Sequence, residues 1–266
     1  MTTTEPSTDF FDLDGYIDAV VDEGEAFAAL ARTADLDAAI AACPGWAARD
    51  LVTHVGLVHL WAAANIVHPS NDWITVKGFD DLRSYWPELT ETEPNDAGIV
   101  DWYRATLANL VDVLRTTPAD HQCLTFLPAP SPLVMWARRQ ASEIAVHRYD
   151  LASAGGRVVT FDAVFAADML DELLVGFASR IRVRDITEET IIEVVADDID
   201  VRYFLEIGPA GLRSSSAASS SDLTVRGSVA DLYLYFWNRP AGPSIRHDGN
   251  LDAMQVWRQV CDIKWR

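Results

Sequence analysis

The sequence is short of cysteine, of basic charge and of unbroken hydrophobic runs. Its 266 residues include three cysteines, Cys43, Cys123 and Cys261. Three scattered thiols cannot staple a fold, so a disulfide framework is excluded and a reducing compartment is expected. Lysine and arginine together number 21 against 40 acidic residues, a formal net charge of −19. Such a chain lacks the basic face with which proteins displace phosphate counterions, and it lacks the attraction that docks proteins on anionic membranes. Neither a nucleic-acid nor a membrane partner is expected. An anionic substrate would need a locally basic or metal-centred exception to the overall field. The most apolar stretch, Leu51 to Val67, is interrupted by Thr53, His54, His59 and Asn65, so no bilayer-spanning run is expected. The opening MTTTEPSTDFFDLDG has neither the basic nor the apolar region of a secretory signal. The expectation is a soluble, cytoplasmic protein, monomeric or homodimeric.

What is present is globular: 49% hydrophobic and 23% charged residues, in a length that suits one large domain or two small ones. Apolar residues recur at helical spacing from Asp12 to Arg32, from about Ala47 to Val67, from Ile99 to Arg115 and from Leu133 to Ala154. Cys43-Pro44-Gly45 is a turn, Pro69 ends the second helix, and Gly155-Gly156 ends the fourth. Between them, residues 68–97 hold three prolines, several acids and the aromatics Trp73, Phe79, Tyr85 and Trp86. That segment reads either as a lid or as a packed irregular connection whose aromatics plug gaps. Four such helices predict an antiparallel bundle over residues 1–156. After Gly156 the texture changes. A helix from Asp162 to Arg180 is followed by β-type runs at Thr190–Ala196, Val201–Ile207 and Asp222–Arg226, with a serine-rich loop or weak hairpin tip at Ser214–Ser221. Helical patterns return at Val229–Trp237 and Leu251–Trp265. The predicted fold class is therefore α+β in two domains, the second (157–266) built on a small, mainly antiparallel sheet.

The fourth helix carries an anomaly. Trp136, Gln140, Glu143, His147 and Leu151 share one face at spacings of three and four, and that face belongs in the core. Glu143 and His147, at i and i+4, reach one point in front of the helix. The second helix has a matching oddity, His54 on a stripe between Leu51 and Val58. Each feature alone has a plain reading: a satisfied core histidine, or a buried or surface ion pair. Together they have another, because an unpaired buried Glu143 is costly. A divalent cation held by His54, Glu143 and His147 resolves both anomalies. Two imidazoles and a carboxylate with a fourth position open is a catalytic zinc set, with iron as an alternative. His59, five residues from His54, points elsewhere and reads as structural or exposed. Arg148 and Asp150 read as support for the ligands or as surface residues.

Two segments carry a family resemblance. Cys43-Pro44-Gly45-Trp46, followed by Arg49-Asp50-Leu51-Val52-Thr53-His54-Val55-Gly56, resembles the signature of the mycothiol-dependent maleylpyruvate isomerase family. So does the helix Arg138-Arg139-Gln140-Ala141-Ser142-Glu143-Ile144-Ala145-Val146-His147-Arg148. The segment Leu223–Gly227 with Asp231–Arg239 is similar to that family's C-terminal region. The resemblance implies a DinB-like four-helix bundle and a sterol-carrier-like second domain. It implies zinc on His54, Glu143 and His147, and mycothiol as the thiol cofactor, which a bound metal deprotonates. In the founding activity the thiolate adds to the cis double bond of maleylpyruvate. The new single bond rotates, and loss of the thiol gives fumarylpyruvate. An arginine of the second domain, Arg239 or Arg226, is implied as the partner of a substrate carboxylate. The chain departs from the pattern at Ala47, where the family has a capping Thr or Ser, at the acidic 68–97 connection, and at Asn238, where glycine is usual.

The expected function is a zinc-dependent enzyme that adds mycothiol to a small electrophile, as a cis–trans isomerase or an S-transferase. Two other readings stay open: a thiol-independent metallohydrolase, and a non-catalytic protein that binds metal or a small ligand. A closed structural zinc site needs a fourth protein ligand, and Cys43 is the nearest spare.

Overall fold

The computed structural model describes residues 10–68, 73–74, 76, 78–177, 180–181, 183–216 and 220–261. The chain divides into two compact units, residues 11–159 and the residues from Thr160 on. The first is helical. Its long helices are α1 (Leu13–Ala31), α2 (Ala48–Val67), α5 (Ile99–Thr116) and α6 (Pro132–Ala154), and two single-turn helices, α3 (Phe79–Leu82) and α4 (Pro87–Thr90), lie between α2 and α5. α1 packs on α6 and α5, and α2 packs on α5 and α6, so the four enclose one core. Tyr16, Phe27, Leu51, Tyr103 and Trp136 fill it.

Local chemistry fixes where these helices begin. Asp12 caps α1 by accepting from the Gly15 N–H at 2.9 Å. Ser131 caps α6, and Pro132 follows at its first position. α2 starts without a capping side chain, because Ala47 has no acceptor. The Asp50 carboxylate instead takes the Ala47 N–H at 2.8 Å, half of a capping box. The turn before α2 is held by Trp46 N–H to Cys43 C=O (3.0 Å) and needs Gly45 at φ 89°, where a side chain would be strained.

The 68–97 segment is a packed connection in its described part. The Trp86 indole N–H donates to the Leu60 carbonyl (2.9 Å), Trp61 to Ile74 (2.7 Å) and Trp102 to Leu89 (2.7 Å). Each ring is partly buried against Leu60, Ala64 and Leu82, and its one donor is satisfied. α2 meets the length and composition of a membrane-crossing helix, with a window of mean hydropathy 1.3, contrary to the reading of that stretch as too interrupted. In the fold 61% of that window is buried inside the protein, so its apolar surface serves the core.

The second unit is α+β. After α7 (Ala163–Asp171) and a π-helical stretch (Glu172–Phe177) come β1 (Thr190–Ala196), β2 (Arg202–Gly208), β3 (Gly211–Ser215), β4 (Leu223–Gly227), α8 (Val229–Phe236), β5 (Arg246–Gly249) and α9 (Asp252–Val260). The five strands form one sheet in the order β3-β2-β1-β4-β5. β1 and β4 run parallel, with Val194 opposite Val225, and the other three pairings are antiparallel, so the sheet is mixed.

Several expectations are corrected here. The helix expected over Asp162–Arg180 is α-helical only to Asp171. Its apolar residues Phe165, Met169, Leu173 and Phe177 repeat every four, wider than the 3.6 of an α-turn, and an i→i+5 winding accommodates that period. The serine-rich loop begins as strand β3, and β5, all of whose residues are exposed, was not expected. The last helix ends at Val260 with Cys261 as its cap, and residues 262–265 of its expected range lie outside the described residues.

Candidate metal centre

α6 enters the core with a polar face. Gln140, Glu143, His147 and Asp150 are all buried on it. α2 lies against α6 and brings His54 to the same place. The His54 Nε2 is 3.3 Å from Glu143 Oε1, and the His147 Nε2 is also 3.3 Å from that oxygen. One ligand atom from each of His54, Glu143 and His147 lies within 4.8 Å of the others. The structure therefore brings the three sequence-predicted ligands together. Their rings cross edge to face at 5.3 Å, and Trp46 of the preceding turn covers His54 at 4.9 Å.

Two buried partners hold this set. Arg139, one turn before Glu143, bonds its second carboxylate oxygen at 2.6 Å. Asp150, three residues after His147, meets the His147 Nδ1 at 3.1 Å. The carboxylate can only accept, so the proton sits on Nδ1 and that nitrogen donates. Burial alone would raise the Glu143 carboxyl, yet Arg139 and the two imidazoles hold it well below the ordinary carboxylate range. Burial alone would lower His147, and its contacts with Asp150 and Glu143 outweigh that and raise it. Sequence reasoning gave Arg139 no role and left Asp150 undecided. The signal was present as spacing, i−4 from Glu143 and i+3 from His147.

The donor set fits a divalent cation on a specific ground. With Nδ1 committed to Asp150, the neutral His147 presents a lone pair at Nε2 toward a carboxylate oxygen. Two acceptors facing each other repel unless the imidazole is protonated or a cation lies between them. Zinc and iron both accept two imidazoles and a carboxylate. Cys43 is not aligned with all three. It groups within 4.8 Å of His147 and Asp150, on the carboxylate that orients the ring.

His59 and Arg148 make other contacts within the helical unit, and Arg226 and Arg239 belong to the second unit. His59 is buried, bonds Thr106 Oγ1 through Nδ1 at 3.2 Å, and is pushed down to about 3 by burial. It is a core residue, as one of its two expected readings had it. Arg148 bonds Glu23 of α1 through Nε (2.5 Å) and Nη2 (3.1 Å). Arg226 lies on β4 in the second unit, with Nε 3.6 Å from Asp197 Oδ1. Arg239 follows α8 and donates to the Trp237 carbonyl at 2.8 Å.

No curated protein matches the chain. Several solved structures match it, two of them of one enzyme. A crystal structure of the mycothiol-dependent maleylpyruvate isomerase aligns with a TM-score of 0.66 at 16% identity, covering 92% of this chain and 98% of that one. A histidine-to-alanine mutant of that enzyme aligns at 0.65 and 15% identity with the same coverage. Residues 17–152 match the family model of the mycothiol maleylpyruvate isomerase N-terminal domain, a span that contains His54, Glu143 and His147. The chain belongs to that family.

Proposed function

We propose that this protein is a metal-dependent enzyme that uses mycothiol to attack a small electrophile, as a cis–trans isomerase of maleylpyruvate type or as an S-transferase. The observation that carries the reading is the buried Glu143 carboxylate, 3.3 Å from Nε2 of both His54 and His147 and anchored behind by Arg139. A core does not keep such a cluster for stability, since hydrophobic residues of similar volume would often serve as well or better.

In this reading the helical unit is a DinB-like four-helix bundle and the second unit is sterol-carrier-like. His54, Glu143 and His147 hold zinc or another divalent metal. A metal bound there supplies a Lewis acid that makes a thiol ionised at neutral pH. The chain's own residues do the rest. Asp150 keeps the His147 proton on Nδ1, so that Nε2 would offer its lone pair to the metal. Arg139 holds Glu143 ionised and fixes its orientation. Buried walls around Glu143 and His147 keep bulk water away, while the half-buried His54 marks the approach. For the isomerase, mycothiol held there would supply the nucleophile for reversible addition to the substrate double bond, the chemistry that permits cis–trans rotation. Arg239, or else Arg226, would take a substrate carboxylate, so Arg239→Ala should raise KM for a carboxylate substrate while leaving metal binding intact.

The test is turnover of maleylpyruvate and of a generic thiol acceptor by purified protein, with metal and mycothiol supplied separately and together. Activity only with both supports the reading. Activity with metal alone points to water as the nucleophile and overturns the thiol role.

A further inference from the structure

Some buried polar side chains of the helical unit are fully satisfied, while His59 Nε2, the Tyr103 hydroxyl and Asn109 Nδ2 each lack a hydrogen-bond partner among the described residues. Asn65 of α2 donates to the Trp61 carbonyl at 2.9 Å and accepts from the Ile74 N–H at 3.3 Å. Thr90 donates to the Trp86 carbonyl at 2.7 Å. Gln140 differs from all of these in lacking a partner at both of its polar atoms. It is fully buried, and among the described residues neither its amide nitrogen nor its amide oxygen meets a hydrogen-bond partner. An unmade bond on a buried amide destabilises the fold, so Leu or Met at this place would be the better core residue.

Its position is informative. Gln140 is three residues before Glu143 and seven before His147, on the same face of α6. Trp136, one turn further back, is edge-on to Trp61 at 5.0 Å, and Trp61 is two turns past His54 on α2. Gln140 therefore occupies the layer between the His54–Glu143–His147 set and an aromatic layer of Trp61 and Trp136. Arg139 already takes the second Glu143 oxygen, so that carboxylate does not need the amide.

We infer that Gln140 is a thiol-binding residue: its amide N–H is reserved for the sulfur of the cofactor thiol that completes the metal's coordination. This rests on the reading of the site given above. A hydrogen bond to an ionised acceptor is about twice as strong as a neutral one. It stabilises the bound thiolate selectively, and the cost appears as an unpaired amide when the thiol is absent.

The experiment compares zinc-loaded wild type with Gln140→Leu and Gln140→Met. Mycothiol affinity is measured by calorimetry, zinc affinity by chelator competition, and the thermal midpoint by circular dichroism. Both substitutions remove the orphaned amide at similar volume. The expected result is zinc affinity within about twofold of wild type, an equal or higher thermal midpoint, and mycothiol binding weakened about tenfold or more. Variants that bind mycothiol as tightly as wild type overturn the inference while leaving the thiol enzyme intact. Weakened zinc binding with a lowered midpoint assigns Gln140 to packing and also overturns it. Wild type that binds zinc and no mycothiol removes the functional reading and the inference together.

Discussion

Asp150→Asn tests how this site is built. The Asp150 carboxylate lies 3.1 Å from His147 Nδ1, and both side chains are buried. Its single effect on the metal is to keep the imidazole proton on Nδ1 and the ring in place. Asparagine is nearly isosteric, but its amide can donate to Nδ1 and so favour the tautomer with the proton on Nε2. That proton points at Glu143, where the metal would sit. Loss of such an orienting carboxylate costs about 10- to 100-fold in metal affinity, or about 1.4–2.8 kcal/mol. Competition against a chromophoric chelator, at matched pH and with folding checked by circular dichroism, reads this directly. A folded Asp150→Asn protein that binds zinc within twofold of wild type would refute the reasoning.

Three other outcomes follow. Cys43→Ser should leave zinc affinity unchanged, because Cys43 groups with Asp150 and His147 and not with the full His54–Glu143–His147 set; loss of zinc in chelator competition would instead indicate a site closed by Cys43. His59 is buried neutral and pushed down to about 3, while its unfolded value is near the ordinary 6.5. The unfolded chain alone takes up a proton between those values, so stability present above pH 6.5 is lost as pH falls toward 3. Denaturant titrations at pH 7, 6 and 5 should show the wild type losing up to about 1.4 kcal/mol per pH unit relative to His59→Leu; parallel curves would show that His59 is not the acid-sensitive group. Gly56→Ala adds a Cβ that would run into Trp102 Cζ3 where α2 packs on α5. Urea unfolding should show a loss of about 1–3 kcal/mol from overpacking, and an unchanged midpoint would mean that the Trp102 ring has room to move.

Much of this was legible in the sequence, and the limits have physical causes. The long helices of the first unit were visible because amphipathic periods of 3.6 persisted over many residues and ended at Pro69 and Gly155-Gly156. The buried His54–Glu143–His147 cluster was visible because polar residues on a core face are expensive and therefore stand out. The supporting pair was harder. Arg139 and Asp150 look like ordinary surface charges until their burial is known, since charged residues usually lie outside. β5 was illegible because Arg246-His-Asp-Gly249 pairs through its backbone and buries no side chain. The α-to-π change at Glu172 left only a faint trace, an apolar period of four. The helix over Leu51–Val67 was legible, and the polar residues that argued against a membrane span there, His54 and Asn65, are where α2 makes specific contacts.

The most direct test of the central claim is metal content. Untagged protein, purified and dialysed against trace zinc, should contain about one zinc per chain by mass spectrometry. His54→Ala and Glu143→Gln, from two different helices, should each lose it while remaining helical. Folded wild-type protein that takes up no zinc or other divalent metal would contradict the account and leave Glu143, His54 and His147 as a buried polar cluster.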